Sequence, residues 1–446
     1  MRTYLWLLGL LLLGACSFGN KEPLWITEKP TDAEYYNAVV RYSRKAPDYV
    51  TAARENALRE ISTQISVNID SDIYLNETEL NGIPSSELKS RIRLSSNNKL
   101  KDVQFVGSYE TEKDYWAYYR LSKSEYRAWR IQQKELALAQ AKELMQEYDS
   151  TMNNAVTGIA ALLKAMELMV DYTDLDLSVS YNDKRVNLYN EISSRINGLP
   201  AKLIPLVEDA TVEVVAKQKE SHSIHAKMMW VDDTGKNVCY AFPLLAKFRI
   251  GSGELTDKQM TNEMGESEFT LKRVNEFTNP QEIAIGADKS SWMQNIQNPV
   301  VRDLFARIQL PEVGVKLNVR RPRAYIDYTF NKERGSTYRE LLLNKLLDLD
   351  LEVVNDPQKS DYIFKVGIES HESDYVPRLK LYSNLSDAFV ELTETKSGKR
   401  MYSTDVTAIK STGASKEQAL RNSEYNGIRE ICDMVLFSVV EQNIMK

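Results

Sequence analysis

Histidines, clustered carboxylates and a run of arginines are the side chains whose spacing suggests chemistry. His222-x-x-His225 has the elements of a zinc pair, but its surroundings alternate like a strand. Residues three apart on a strand point to opposite faces and do not converge on one ion without a bend. Two exposed strand histidines are therefore expected. His371 sits among Glu369, Glu372 and Asp374, a pattern that fits a loop salt-bridge cluster better than a general base. With only 3 histidines in the chain, histidine catalysis has little material. Asp70-Ser71-Asp72 and the trio Asp171, Asp174 and Asp176 lack the spacing that folds oxygens around calcium, so solvated turns are expected. Gly251-Ser252-Gly253 lacks the lysine, the hydroxyl and the following helix of a phosphate loop. Arg320, Arg321 and Arg323 around Pro322 form the densest basic run, between Lys316 and Arg323. It is expected to be an interdomain linker with solvated charge, the alternative being contact with an acidic partner or lipid phosphates. No catalytic, cofactor-binding or metal-binding set emerges, and a non-enzymatic protein is expected.

The amino terminus carries a different chemistry. Arg2 precedes a nearly unbroken apolar run from Tyr4 to Leu13, too short to span a bilayer as a helix and suited to a signal-peptide core. Leu13-Gly14-Ala15-Cys16 follows directly and resembles the lipobox of bacterial lipoproteins. The resemblance implies a signal peptide over 1–15, cleavage between Ala15 and Cys16, and lipid on Cys16. Ser17 follows in place of an aspartate, and Lys21 and Glu22 are the charges before Pro23. By the sorting rules of such lipoproteins this implies an outer-membrane anchor with the protein facing the periplasm. Cys239 and Cys432 are too few for a disulfide framework and are expected to be buried thiols.

Composition is globular, at 43% hydrophobic and 27% charged residues, which excludes a disordered chain. A net charge of −6 gives no nucleic-acid footprint, so no nucleic-acid partner is expected. At 446 residues the chain should divide into three or four domains.

Residues 16–30, punctuated by Gly19, Asn20, Pro23 and Pro30, look like a lipidated tether. Over 31–126, Tyr35 to Tyr42 alternates as a strand, and Ala53, Ala57, Ile61 and Ile65 make one helical stripe. Val67, Ile69 and Ile73 switch to period two, and a helix-containing excursion is expected over Leu75 to Asn98. Val103 to Tyr109 and Tyr115 to Leu121 complete a small α/β domain. Trp25, Pro30, Tyr36, the run Ala53-x3-Ala57-x2-Glu60-Ile61, Ile65-Ser66-Val67 and Tyr118-Tyr119-Arg120-Leu121-Ser122-Lys123 together resemble the LPP-twenty lipoprotein family. Arg41 stands where that family often has glycine. The family supplies no catalytic residues to carry over.

Residues 127–200 read as a helical hairpin, with an apolar stripe from Val156 to Met169 as packing core and a further helix from Lys184 to Asn197, ended by Gly198-Leu199-Pro200. Between 204 and 295 the period becomes two, and turn signals separate short strands, which indicates a β-sandwich. The order Pro243-Leu244, Phe248, Gly251-x-Gly253, Thr261-Asn262-x-x-Gly265 and Ala287-Asp288 resembles bacterial immunoglobulin-like repeats. Over 318–446 the pattern runs strand, helix, strand, strand, hairpin and helix. Its Asp361-Tyr362 strand and the hairpin around Lys396-Ser397-Gly398-Lys399 resemble the curli-secretion and Tol class of periplasmic α/β domains. The expected fold class is α+β and multidomain.

Together these features imply a membrane-anchored scaffold with envelope protein partners. The alternative is a surface-displayed lipoprotein binding a glycan, peptidoglycan or host ligand, with Trp230, Trp292 and some of the 24 tyrosines as a stacking platform.

Overall fold

The computed structural model describes residues 22–69, 100, 102–150, 155–232, 235–330 and 335–445. Ala15, Cys16 and the 1–15 segment lie outside the described residues, as do Asp70-Ser71-Asp72, Ile73 and the Leu75–Asn98 excursion. Among the described residues the fold is α+β, with 36% helix and 39% strand in several sheets. It forms two compact units. The first draws on Met1–Ser150, Ile159–Asn197 and Met293–Ile308, and the second on Thr151–Gly158, Gly198–Trp292 and Gln309–Lys446.

In the first unit a single helical turn, α1 (Leu24–Thr27), precedes β1 (Tyr35–Ser43), α2 (Tyr49–Ile69), β2 (Gln104–Glu110) and β3 (Asp114–Ser122). The expected tether therefore has structure from Leu24, and Trp25 packs on Tyr118 with ring centroids 5.7 Å apart. The sheet order is β1-β3-β2, antiparallel throughout, which leaves β1 and β2 as edges among the described residues. Ala53, Ala57, Ile61 and Ile65 of α2 bury against Ala38, Val40, Ala117 and Leu121, as their spacing predicts. The expected switch to a strand at Val67 does not occur, because α2 continues through Ile69. The spacing of four that links Ala53 to Ile65 extends to Ile69. Adding one more helical bond costs less than starting a new element.

β3 runs straight into α3 (Lys123–Ser150), where the Ser122 hydroxyl accepts the Glu125 N–H and caps the helix. α4 (Ala155–Val170) follows, with Ile159, Leu162, Leu163, Met166 and Met169 all in the core. β4 (Ser178–Tyr181) and β5 (Lys184–Asn187) form a hairpin around Asn182 and Asp183, both with positive φ, the geometry of a tight two-residue turn. The helix expected from Lys184 thus begins only at Leu188, as α5 (Leu188–Lys202). Gly198-Leu199-Pro200 does not end it, since a proline in the last turn removes a single internal hydrogen bond.

The second unit contains two five-stranded sheets. Its strands begin with β6 (Leu203–Val207), β7 (Thr211–Val215), β8 (His222–Asp232), β9 (Gly235–Val238) and β10 (Pro243–Ile250). They continue with β11 (Gly253–Leu255), β12 (Lys258–Met260), β13 (Glu266–Val274) and β14 (Gln281–Ala287). α6 (Ser290–Met293) and α7 (Pro299–Arg307) separate these from β15 (Glu312–Arg320). One sheet runs β12-β10-β14-β15-β7 and the other β11-β13-β8-β6, with β9 on β8. β15 therefore belongs with strands assigned to 204–295, beyond the expected limit. Its inward residues Val315, Leu317 and Val319 alternate with Lys316, Asn318 and Arg320, so its charge hides a strand. α7 belongs to the first unit, where Glu167 Oε1 accepts the N–H groups of Gln297 at 2.5 Å and Asn298 at 2.7 Å.

The remaining elements are β16 (Arg323–Thr329), α8 (Gly335–Asp348), β17 (Glu352–Val353), β18 (Tyr362–Ser370), β19 (Asp374–Val376), β20 (Leu381–Glu394) and β21 (Arg400–Gly413). α9 (Lys416–Glu430) passes through a π turn (Ile431–Val435) into α10 (Leu436–Asn443). The sheet order is β17-β16-β18-β20-β19, with β21 on β20. Leu342 and Leu346 of α8 and Ile428, Leu436 and Val440 of the carboxyl-terminal helices pack with Phe364, Val390 and Leu392 of the sheet. Asn384, Ser386 and Ser423 are buried polar groups that satisfy one another, tying α9 to β20.

Candidate functional site

β1 carries the candidate site because, among the described residues, it is a sheet edge. Its ladder with β3 extends at one end to the Lys123 N–H on Glu34 O and at the other to the Arg44 N–H on Lys113 O. Both bonds involve even-numbered residues, so in an antiparallel pair the even positions face β3. The backbone groups of Tyr35, Asn37, Val39 and Arg41 point to the free edge. Beside that edge lies a cleft of about 520 Å³ lined by Tyr35, Tyr36, Asn37, Val39, Gln64 and Lys123, among others.

One wall is α2, which contributes Glu60, Thr63 and Gln64; Lys29 to Asp32 form another part of the lining. Lys29 and Glu60 approach to 3.8 Å. The Gln64 amide donates to Asn37 O at 2.7 Å, where a neighbouring strand would otherwise donate. The Asn37 side chain is fixed by the Tyr118 hydroxyl, which donates to its Oδ1 at 2.8 Å. Burial raises the Tyr118 pKa, so this phenol stays a protonated donor. Lys123 Nζ lies over the Tyr36 ring at 5.2 Å and donates to Asp32 O at 3.3 Å. Among the described residues no carboxylate pairs with it. Arg120 covers Tyr35 at 4.4 Å. The cleft offers backbone donors and acceptors, amides, aromatic faces and an ammonium.

Elsewhere the suspected chemistry is engaged in structure. His222 and His225 both lie on β8; His225 is on the exposed face and His222 shares the side of buried Ile224. Among the described residues no group of three or more histidine, cysteine, aspartate or glutamate side chains is arranged to hold a metal. His371 pairs with Asp387 at 3.0 Å, not with its sequence neighbours. The Ala408 N–H and then His371 hold Asp387 below the usual carboxylate range. The aspartate trio lies along a turn, with Asp176 exposed as expected, but Asp174 is not solvated. Asp174 forms a two-point pair with Arg130, and Asp176 accepts the Ser178 N–H at 3.0 Å. Turn residue Gly251 has φ 93°, and Ser252 O accepts the Asn275 N–H, extending the β11–β13 ladder.

The basic run also departs from expectation, since its arginines face carboxylates of this same chain. Arg320 makes two bonds to Asp361, at 2.5 and 2.8 Å. Arg323 donates its backbone N–H to Asp361 and its Nε to Glu352, and Arg321 lies 3.7 Å from Asp350. What reads as a solvated linker is a clamp between β15 and the strands that follow. Trp230 and Trp292 are 7% and 4% exposed and form no stacking platform. Trp292 instead packs on Phe242 and donates to Val156 O. Cys239 and Cys432 are buried free thiols, pushed up by burial to about 12 and about 11.

Sequence reasoning missed Asn37 and Gln64. The alternation of β1 was visible, but nothing local marks a strand as an edge.

No protein-family model matches the chain, and no curated protein matches it. Among solved structures, a secreted protein from Helicobacter pylori is 10% identical over 91% of this chain and 100% of its own, with a TM-score of 0.21. The rare lipoprotein B from Shewanella oneidensis is 12% identical over 27% of this chain and 96% of its own, at 0.20. A neuraminyllactose-binding hemagglutinin homolog from Helicobacter pylori is 11% identical over 28% of this chain and 88% of its own, at 0.22. At these TM-scores none of them bears on the function of this chain.

Proposed function

We propose that this chain is a non-enzymatic bacterial lipoprotein, lipidated on Cys16 and held at the periplasmic face of the outer membrane. There it acts as a multidomain scaffold in assembly or maintenance of the cell envelope. One observation carries the reading: the apolar run Tyr4–Leu13 leads without interruption into Leu13-Gly14-Ala15-Cys16. Among the described residues no helix is long and apolar enough to cross a membrane. Each buried acyl methylene contributes about 0.8 kcal/mol, and several chains together anchor durably.

The test is Cys16→Ser followed by metabolic labelling with palmitate and membrane fractionation. The parent should incorporate label and sediment with outer membranes. The variant should lose label and either turn soluble or stay unprocessed; a variant still labelled and membrane-bound overturns the anchor. Crosslinking in intact envelopes should then recover protein partners, and proteolysis of intact cells should spare the chain. Degradation by external protease would place the protein on the surface and overturn the periplasmic reading.

A further inference from the structure

We infer that the cleft beside β1 is a strand-addition site, which takes an extended peptide segment of a partner protein as a fourth strand of the first sheet. This deepens the scaffold reading by naming what it holds, and rests on that reading for the partner being a protein. Three observations converge. The outward groups of β1 belong to Tyr35, Asn37 and Val39, and those three residues line the cleft. The space therefore follows the unpaired ladder, where a strand would lie about 4.8 Å away. Second, Gln64 Nε2 occupies the acceptor at Asn37 O, the bond an added strand makes with its own N–H. A side-chain amide there blunts an edge that would otherwise recruit strands indiscriminately, and a suitable peptide can displace it. Among the described residues the N–H groups of Asn37 and Val39 have no partner outside this edge.

The third observation concerns charge. Lys123 Nζ stands at the Tyr35 end over the Tyr36 ring without a carboxylate partner among the described residues. A peptide with an acidic side chain at that end supplies the missing charge, and aromatic or β-branched side chains would lie against Tyr35 and Tyr36. From Tyr35 to Arg41 the edge accommodates a peptide of roughly 6 to 7 residues.

The probe is a phage-displayed random peptide library panned on the full chain, with selected peptides resynthesised. Selected peptides should bind and carry an acidic residue near one end. N-methylation of alternate peptide amides should cost about tenfold or more at one parity and little at the other, because only one set of N–H groups faces β1. Asn37→Pro removes an outward donor and leaves the β3 backbone ladder untouched, although the Tyr118 hydroxyl loses its Asn37 partner, so it should fold and lose binding. Lys123→Gln should weaken binding of the acidic peptides by several-fold.

Failure to select any binder, or equal sensitivity to N-methylation at both parities, overturns the inference. Undiminished binding by a folded Asn37→Pro chain does so too. The parity experiment uses the parent chain, so it decides even if the proline variant does not fold. Self-association of the parent that Asn37→Pro abolishes would assign the edge to a second copy and overturn the peptide reading. None of these results touches the lipid anchor, which the Cys16→Ser experiment tests separately.

Discussion

Removing Arg130 should expose the energetics that hold the helices of the first unit. Its side chain is 9% exposed and that of Asp174 is 11% exposed. The guanidinium makes a two-point contact with the carboxylate and donates to Asp171 O at 2.7 Å. Burial by itself would lower the Arg130 pKa, but the Asp174 bond and charge outweigh it and the net shift is upward. The group is therefore charged at every accessible pH. Arg130→Met leaves a buried carboxylate without its cation, which costs about 3–5 kcal/mol. The double variant Arg130→Met/Asp174→Leu removes both charges, and the ion pair repays little against a well-packed apolar pair. What then remains is the lost bond from the Arg130 guanidinium to Asp171 O, about 1.5–3 kcal/mol. The double variant should therefore be more stable than Arg130→Met, with a coupling energy of at least about 1 kcal/mol. Native-state hydrogen exchange of α3 amides reads this locally, and urea unfolding gives the global value. A loss below about 1 kcal/mol in Arg130→Met, or strict additivity in the double variant, would refute the reasoning.

Three further outcomes follow from the same kind of reasoning. Arg320→Ala should destabilise the second unit by about 1–3 kcal/mol, since it removes a partly exposed two-point charged pair. Asp361→Asn should add little on top of it, and urea unfolding of the two singles and the double checks this. Burial alone would raise the Asp288 pKa, but Ser290 and Lys258 bring it below the usual carboxylate range. Its stabilising contribution is thus complete above about pH 3.9 and is lost as pH falls through the lower folded value. Asp288→Asn should flatten that part of the urea-midpoint profile relative to the parent. Cys239 and Cys432 should resist alkylation at pH 8 in the native chain and react in denaturant, because burial keeps both thiols protonated; mass spectrometry counts the adducts.

The amino-acid pattern by itself determined the local periodicities and much of the element order. Ala53, Ala57, Ile61 and Ile65 announced the buried face of α2, and the short alternations between Val212 and Ile285 announced strands, because side-chain period follows directly from backbone geometry. The lipobox expectation at Leu13-Gly14-Ala15-Cys16 likewise rests on contiguous residues alone. Where local signals competed, cooperativity and pairing decided. α2 absorbed Val67 and Ile69, and Lys184–Asn187 found a strand partner instead of starting α5. Long-range placement was not legible. Arg320 meets Asp361 across 41 positions and Arg130 meets Asp174 across 44, so basic and acidic runs that look solvated in sequence neutralise each other in the fold. The edge position of β1 was equally hidden. Any alternating strand looks the same in sequence, and only the order β1-β3-β2 leaves Asn37 and Val39 facing an open cleft. Periodicity is a property of neighbours in the chain, whereas an edge, an ion pair and a cleft belong to neighbours in space.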